Sequence, residues 1–252
     1  MTEFAPGDPG RLEPMMTLWQ EAFGDEEPFI RQFFTRAYAP ERCRIALCQG
    51  ELAGMLFWFD CTSGDQKMAY IYGVATRRQF QGRGIATELL QNTQEHLRQR
   101  GYSAVLLVAA SESLIRFYEA RGYRMVSRVD QGQTDARGSA FAQRIGAEAY
   151  MDLRQGYLPK GGLVQTGENT RFLDGLADCY RAEDFLAAVS RQEPERCMEF
   201  LGNRERIAGF AGFLGQEKLQ WRAPGNSVPF AMGLRLDDNA WAEPVYLGFA
   251  FD

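Results

Sequence analysis

The run RRQFQGRGIATELL, residues 77–90, sets two glycines and three arginines directly before a helix. Ile85, Leu89, Thr93 and Leu97 recur every four residues, with Ala86 and Leu90 beside them, and Gly101 closes the segment. That spacing predicts a helix over GIATELLQNTQEHLRQR with one buried face. The first N–H groups of a helix have no internal acceptor and carry the positive end of its dipole. A glycine-rich loop ahead of them lets an anion approach closely, and Arg77, Arg78 and Arg83 can add charge-assisted bonds. Two phosphate-binding patterns fail here. A dinucleotide fingerprint needs a third glycine where Thr87 stands, and no GxxxxGK[ST] run exists in the chain.

Upstream, TLWQEAFG and PFIRQFFTRAY read as two helices joined by residues 24–28, the second starting on Pro28. RIALCQG and ELAGMLFWFD read as strands meeting near Gly50, and MAYIYGVAT as the strand that feeds the glycine loop. Downstream, SAVLLVAA is apolar enough to be a strand covered on both faces. Ser111 is an N-cap for a helix over ESLIRFYEAR, stopped by Gly122. YRMVSRV and EAYMDLR read as further strands separated by a polar connection at 130–147. The order predicts a mixed sheet with helices on both faces. Residues 155–162 (QGYLPKGG) form the expected linker, between a domain at 1–154 and a smaller one at 163–252. In the smaller part AEDFLAAVSR reads as helical, and MEFLG, IAGFAGFLG, KLQWR, PFAMGLRL and PVYLGFAFD as short strands.

The chain has 252 residues, 45% hydrophobic and 24% charged, with a net charge of −5. An acidic balance argues against nucleic acid as partner and favours a small, cationic one. Cys43, Cys48, Cys61, Cys179 and Cys197 form no CxxC pair and no Cys/His metal spacing, so no metal is expected. Reduced thiols, no signal-peptide pattern and no apolar stretch of ~20 residues lead us to expect a cytoplasmic protein with no membrane partner. The sequence leaves oligomeric state open, a homo-oligomer included.

Gln81-x-x-Gly84-x-Ala86, after a strand and opening a helix, resembles the [Arg/Gln]-x-x-Gly-x-[Gly/Ala] signature of the GCN5-related N-acetyltransferase (GNAT) superfamily. LVAASESLIRFYEARGY, about 25 residues on, resembles that family's second cofactor motif. The details are most similar to the branch with the Eis-type acetyltransferases, over roughly residues 1–153. The resemblance implies an α+β fold, α/β/α in layers, with a mixed, mostly antiparallel sheet and a smaller C-terminal α+β domain. That domain would be a degenerate half-copy of the fold or sterol-carrier-like. It implies an acyltransferase, an acetyl-CoA-dependent N-acetyltransferase, with a small-molecule amine as acceptor. Acetyl-coenzyme A would be the co-substrate.

By the same resemblance the strand before the loop bulges, Gly73 being the plausible place, and Val74, Ala75 and Thr76 offer backbone bonds to the pantetheine arm. Gln81, Gly82, Arg83, Gly84, Ile85 and Ala86 would take the pyrophosphate. Tyr118 matches the general acid toward the coenzyme A sulfur, with Phe117 beside it. Many relatives have asparagine where this chain has Ser111, which either replaces some cofactor bonding or caps the helix. His96 sits about 18 Å along the helix from Gly84 and reads as structural. Tyr70, Tyr72, Asp60 and Glu112 remain candidate bases, and Eis-type relatives suggest the terminal carboxylate at Asp252. Two other functions stay open at this point: a protein or peptide N-acetyltransferase, and a coenzyme A-binding regulator without catalysis.

Overall fold

The computed structural model describes residues 2–237 and 246–251. The chain divides into two compact units. The first takes the chain to Leu107, then Ser111–Tyr123 and the segment starting at Gly233; the second takes Val108–Ala110, Arg124–Met232 and the described tail. These are not the expected 1–154 and 163–252, because the strands after Tyr123 side with the second unit.

The first unit contains β1 (Thr2–Pro6), α1 (Leu12–Phe23), α2 (Glu27–Arg36), β2 (Cys43–Cys48), β3 (Glu51–Ser63) and β4 (Gln66–Thr76). Then come α3 (Ile85–Gln99), β5 (Ala104–Leu107) and α4 (Glu112–Glu119). Its strands lie in the order β1-β2-β3-β4-β5, antiparallel as far as β4 and parallel between β4 and β5. β1 escaped the sequence reading because TEFAP is a short edge strand ending in proline, without an alternating pattern. Helix α1 buries Met15, Leu18 and Trp19, and Gly24 ends it at φ +74°. Helix α3 buries Ile85, Leu89, Leu90, Thr93 and Leu97, the predicted stripe. At about 25 cal/mol per Å² of apolar surface, such a stripe holds a helix that its own propensity would not.

The second unit contains β6 (Arg124–Asp135), β7 (Gln143–Ile145), α5 (Ala147–Tyr157), β8 (Val164–Gln165) and α6 (Glu168–Leu176). β9 (Ala177–Arg181), β10 (Phe185–Ser190), β11 (Arg196–Gly202), α7 (Ile207–Phe213) and β12 (Lys218–Pro224) follow, and then β13 (Val228–Arg235), whose residues from Gly233 on count with the first unit. Six of its strands run β6-β12-β11-β10-β9-β7. Its core gathers Phe185, Phe200 and Phe210 around Ala187, Val189, Ile207 and Leu219.

Four elements here correct the sequence reading. EAYMDLR lies in helix α5, which continues through Tyr157, so residues 155–157 are helix rather than linker. AEDFLAAVSR supplies strand β10, buried along nearly its whole length between β9 and β11. IAGFAGFLG supplies helix α7. Tyr246–Phe251 belong to no strand, yet Tyr246, Leu247, Phe249, Ala250 and Phe251 are buried.

That tail is pinned by polar groups inside the second unit. Gln165 Nε2 donates to the Phe249 carbonyl at 3.0 Å, and its Oε1 accepts from Phe249 N at 3.3 Å. Nearby, the fully buried Arg154 and Glu199 pair through Nε–Oε2 at 2.7 Å and Nη2–Oε1 at 2.9 Å. Tyr150 donates its hydroxyl to the same carboxylate at 2.8 Å. A Cβ on Gly248 would fall on the Arg154 guanidinium, so the tail passes the ion pair as bare backbone. Among the described residues no helix is long and apolar enough to cross a membrane.

Candidate active site

Between β3 and β4 the register runs Met55↔Ala75 and then Phe57↔Tyr72. Two steps on β3 therefore face three on β4, and the extra residue makes a bulge around Gly73 and Val74. Gly73 has φ +60°, and a Cβ there would sit 3.0 Å from Phe57 Cδ2 and 3.2 Å from Trp19 Cζ3. Glycine is required on both counts, conformation and space. On the other edge, β4 pairs with β5 only from Met68↔Ala104 to Tyr70↔Leu106. The two strands then part, and the β4 backbone beyond Tyr70 continues without this neighbour. An edge of that kind accepts an extended ligand as an added strand.

The loop after β4 is tied down residue by residue. Arg77 N donates to the Ala53 carbonyl at 2.9 Å. The Gln81 amide donates to the Thr76 carbonyl at 3.0 Å. Glu51 accepts from Arg77 Nη1 at 3.1 Å and from Gln79 Nε2 at 2.8 Å. Glu21, reaching from α1, accepts from Arg78 N at 2.7 Å. Phe80 is buried, with the Arg83 guanidinium 5.4 Å above its ring. Gln81 and Arg77 thus each spend a side-chain N–H group on holding the loop. Ile85 packs inward, so only its N–H can serve a ligand.

What stays open is backbone. Gly82 and Gly84 have φ +75° and +82°, and a Cβ on either would meet nothing within 4 Å. No side chain caps the start of α3 at Gly84. The first N–H groups of α3 consequently stand uncapped, at the positive end of a fifteen-residue helix.

Helix α4 begins at Ser111, whose hydroxyl accepts from Leu114 N at 3.3 Å. Of its two expected roles the hydroxyl performs the cap. Tyr118 is 6% exposed and lies edge-on to Phe117 at 5.2 Å and to Tyr123 at 5.4 Å. Burial pushes its phenol up to about 12, against the opposing pull of the Arg121 cation. It therefore stays a neutral donor across physiological pH.

Arg121 escaped the sequence reading, because a basic residue at a helix end ordinarily just complements the dipole. Its Nε and Nη2 donate to Thr87 Oγ1 at 2.9 and 2.5 Å, and Nη1 donates to the Phe117 carbonyl at 2.5 Å. The guanidinium lies 3.4 Å over the Phe117 ring. Glu21 and Glu51 were missed for a similar reason: a lone acid on a surface turn carries no pattern.

The candidate bases scatter. His96 touches Arg100 at 3.4 Å, and burial together with Arg44 and Arg100 lowers its pKa, as befits a structural residue. Asp60 accepts the Tyr102 hydroxyl, and Glu112 lies 3.7 Å from Arg116. Tyr70 is buried. Trp19, Phe33 and Phe57 are buried and pack with the half-buried Tyr72 at centroid distances of 4.6 to 5.7 Å. In the turn between α1 and α2, Asp25 accepts from Trp19 Nε1 at 2.7 Å. Asp252 lies outside the described residues.

A bulged strand that splays from its parallel neighbour and runs into an uncapped, glycine-opened helix defines an acetyltransferase-type fold, and residues 5–126 match the acetyltransferase (GNAT) domain family. Residues 5–126 thus carry a domain of the GNAT superfamily. The chain is 32% identical over 81 residues to the uncharacterized N-acetyltransferase YdgE of Bacillus subtilis, covering 31% of this chain and 52% of that protein. The match thus spans about half the relative's length. The fold is shared with a GCN5-related N-acetyltransferase from Kribbella flavida (17% identity, 92% of this chain and 70% of that one, TM-score 0.69). It is shared equally with Eis1 from Mycobacterium abscessus (13% identity, 94% and 74%, TM-score 0.65).

Proposed function

We propose that this chain is an acetyl-CoA-dependent N-acetyltransferase acting on the primary amine of a small, cationic molecule by direct attack in a ternary complex. One observation carries the reading: the β4 strand, bulged at Gly73 and parted from β5, leads straight into the open backbone between Gly82 and Ala86. The donor's pantetheine arm would lie along Val74 and Ala75, and its pyrophosphate on the uncapped N–H groups of α3. The two glycines leave room for that approach, so the residues present fit the donor.

The neutral amine attacks the thioester carbonyl, a C–N bond forms, and the oxyanion collapses with rupture of the C–S bond. The amine gives up one proton and the departing thiolate takes one, so the step balances. Tyr118 is the proton donor in this reading. Burial that keeps it protonated also weakens it as an acid, so it hydrogen-bonds the sulfur first and transfers as charge builds there. The acidic chain raises the local concentration of a cationic acceptor.

Calorimetry with acetyl-coenzyme A, followed by a thiol-release assay over small polyamines and lysine peptides, tests this. Turnover on a small polyamine is the expected result. Binding with no turnover on any amine would leave a coenzyme A-binding regulator, and absence of binding would end the reading.

A further inference from the structure

Helix α3 carries a second polar feature, well away from its glycine-opened start. Asn92, His96 and Arg100 follow one another at four-residue spacing, so they share one face of the helix and its C-terminal end. His96 lies about 18 Å along the axis from Gly84. Arg44 reaches this face from β2, and its Nε and Nη2 donate to Asn92 Oδ1 at 3.1 and 2.6 Å. Arg100 Nη1 meets His96 Nε2 at 3.4 Å and donates to the Glu41 carbonyl, in the turn Pro40–Arg42, at 3.3 Å. The buried Trp58 of β3 packs near the imidazole, with ring centroids 6.0 Å apart.

This face is cationic without a counter-charge. Among the described residues neither Arg44 nor Arg100 pairs with a carboxylate, and the Glu41 carboxylate lies 3.9 Å from Arg42 instead. Arg44 is half-buried, and burial lowers its pKa: the guanidinium has given up water for a neutral amide. The helix dipole accounts for Arg100 at the C-terminal end of α3, but not for Arg44, which arrives from another element. Nη1 of Arg44 and both Nε and Nη2 of Arg100 have no partner among the described residues. Guanidinium groups with unused N–H forks match the oxygens of a tetrahedral anion.

We infer that Arg44, His96 and Arg100 form a binding site for a phosphate-type dianion on a small soluble molecule, separate from the donor site. Arg44 and His96 are half-buried, so a free ligand reaches them where a flat lipid surface meets only the exposed Arg100. The site does not depend on the acetyltransferase reading. The charged groups facing the imidazole are Arg44 from β2 and Arg100 at the end of α3, and both lower its pKa, as burial does. The next titratable groups are Tyr102 and Asp60, which hydrogen-bond each other. A dianion beside the imidazole offsets the two cations, so binding raises the His96 pKa and takes up a proton. Affinity therefore rises as pH falls through the His96 titration.

His96 is the only histidine in the chain, so its imidazole NMR signal reports the titration without ambiguity. The probe is sodium sulfate, which keeps both charges throughout that titration, against sodium chloride at equal ionic strength. Sulfate should raise the midpoint by about one pH unit, saturably. Arg44→Gln and Arg100→Gln should each raise the midpoint without sulfate and at least halve the effect of sulfate. Circular dichroism checks folding, and Arg100, being exposed, leaves one informative variant if Arg44→Gln unfolds. A sulfate effect no larger than that of chloride, or one that either folded variant retains in full, overturns the site. Phosphatidic acid vesicles should act no more strongly than chloride, and a larger effect from vesicles than from sulfate overturns the assignment to a soluble ligand.

Discussion

Replacing Tyr118 by phenylalanine removes one oxygen and keeps the edge-on contacts with Phe117 and Tyr123. Positioned proton transfer contributes ~10²–10⁴-fold, so kcat should fall by that factor, about 3–5 kcal/mol of barrier. The wild-type phenol, pushed up to about 12, is less than about 1% ionised at pH 9. The wild-type rate should therefore show no alkaline loss from this group below about pH 10. Stability supplies the control. A folded-state pKa raised above the ordinary 10 contributes stability that is complete below pH 10 and lost as pH rises through about 12. Two pH units at 1.36 kcal/mol each put that loss at about 3 kcal/mol. Tyr118→Phe lacks this titration, so it should resist alkali at least as well as wild type while turning over far more slowly. The assay is thiol release at saturating donor and amine between about pH 7 and 9, beside circular dichroism on the same samples. A folded variant with kcat within about threefold of wild type would refute the assignment of Tyr118 as acid.

Three further perturbations separate the parts of the molecule. Gly73→Val should cost roughly 1–2 kcal/mol for the positive φ alone, with more from the clash against Phe57 and Trp19, and should raise KM for the donor; urea denaturation and kinetics check both. Glu51→Ala frees Arg77 and Gln79 and loosens the loop, so donor KM should rise several-fold with kcat nearly unchanged in steady-state kinetics. Glu199→Gln should destabilise by about 3–5 kcal/mol in urea, because the buried Arg154 cation loses its counter-charge and Tyr150 an acceptor. The pair Arg154→Met with Glu199→Leu should recover most of that loss.

Whatever depends on neighbours along the chain could be read from the sequence. The stripe of α3, the glycine conformations at Gly82 and Gly84, the cap at Ser111 and the bulge at Gly73 are local requirements, written in adjacent residues. The second unit was harder for identifiable reasons. Helix α5 buries Ala147, Tyr150, Met151 and Arg154, a helical period whose last member is an arginine that only Glu199, 45 positions away, makes buriable. Helix α7 looked like a strand because of Gly209 and Gly212. Those glycines serve tertiary contact: a Cβ would press on Ala140 at one and on the Gly138 carbonyl at the other. Strand β10 is covered on both faces, and such a short apolar run has no period to distinguish it from helix.

The candidate site divides the same way. The sequence by itself determined where open backbone N–H groups lie, since a helix start and its glycines are a local fact. Only tertiary structure decided which polar side chains remain available there. Glu51 takes Arg77 from 26 residues away, Thr76 takes Gln81, and Arg121 arrives at Thr87 across 34 residues without an acid beside it. Charge partners are set by distance in space, and a side chain's chemistry depends on which of its hydrogen bonds the fold has already made.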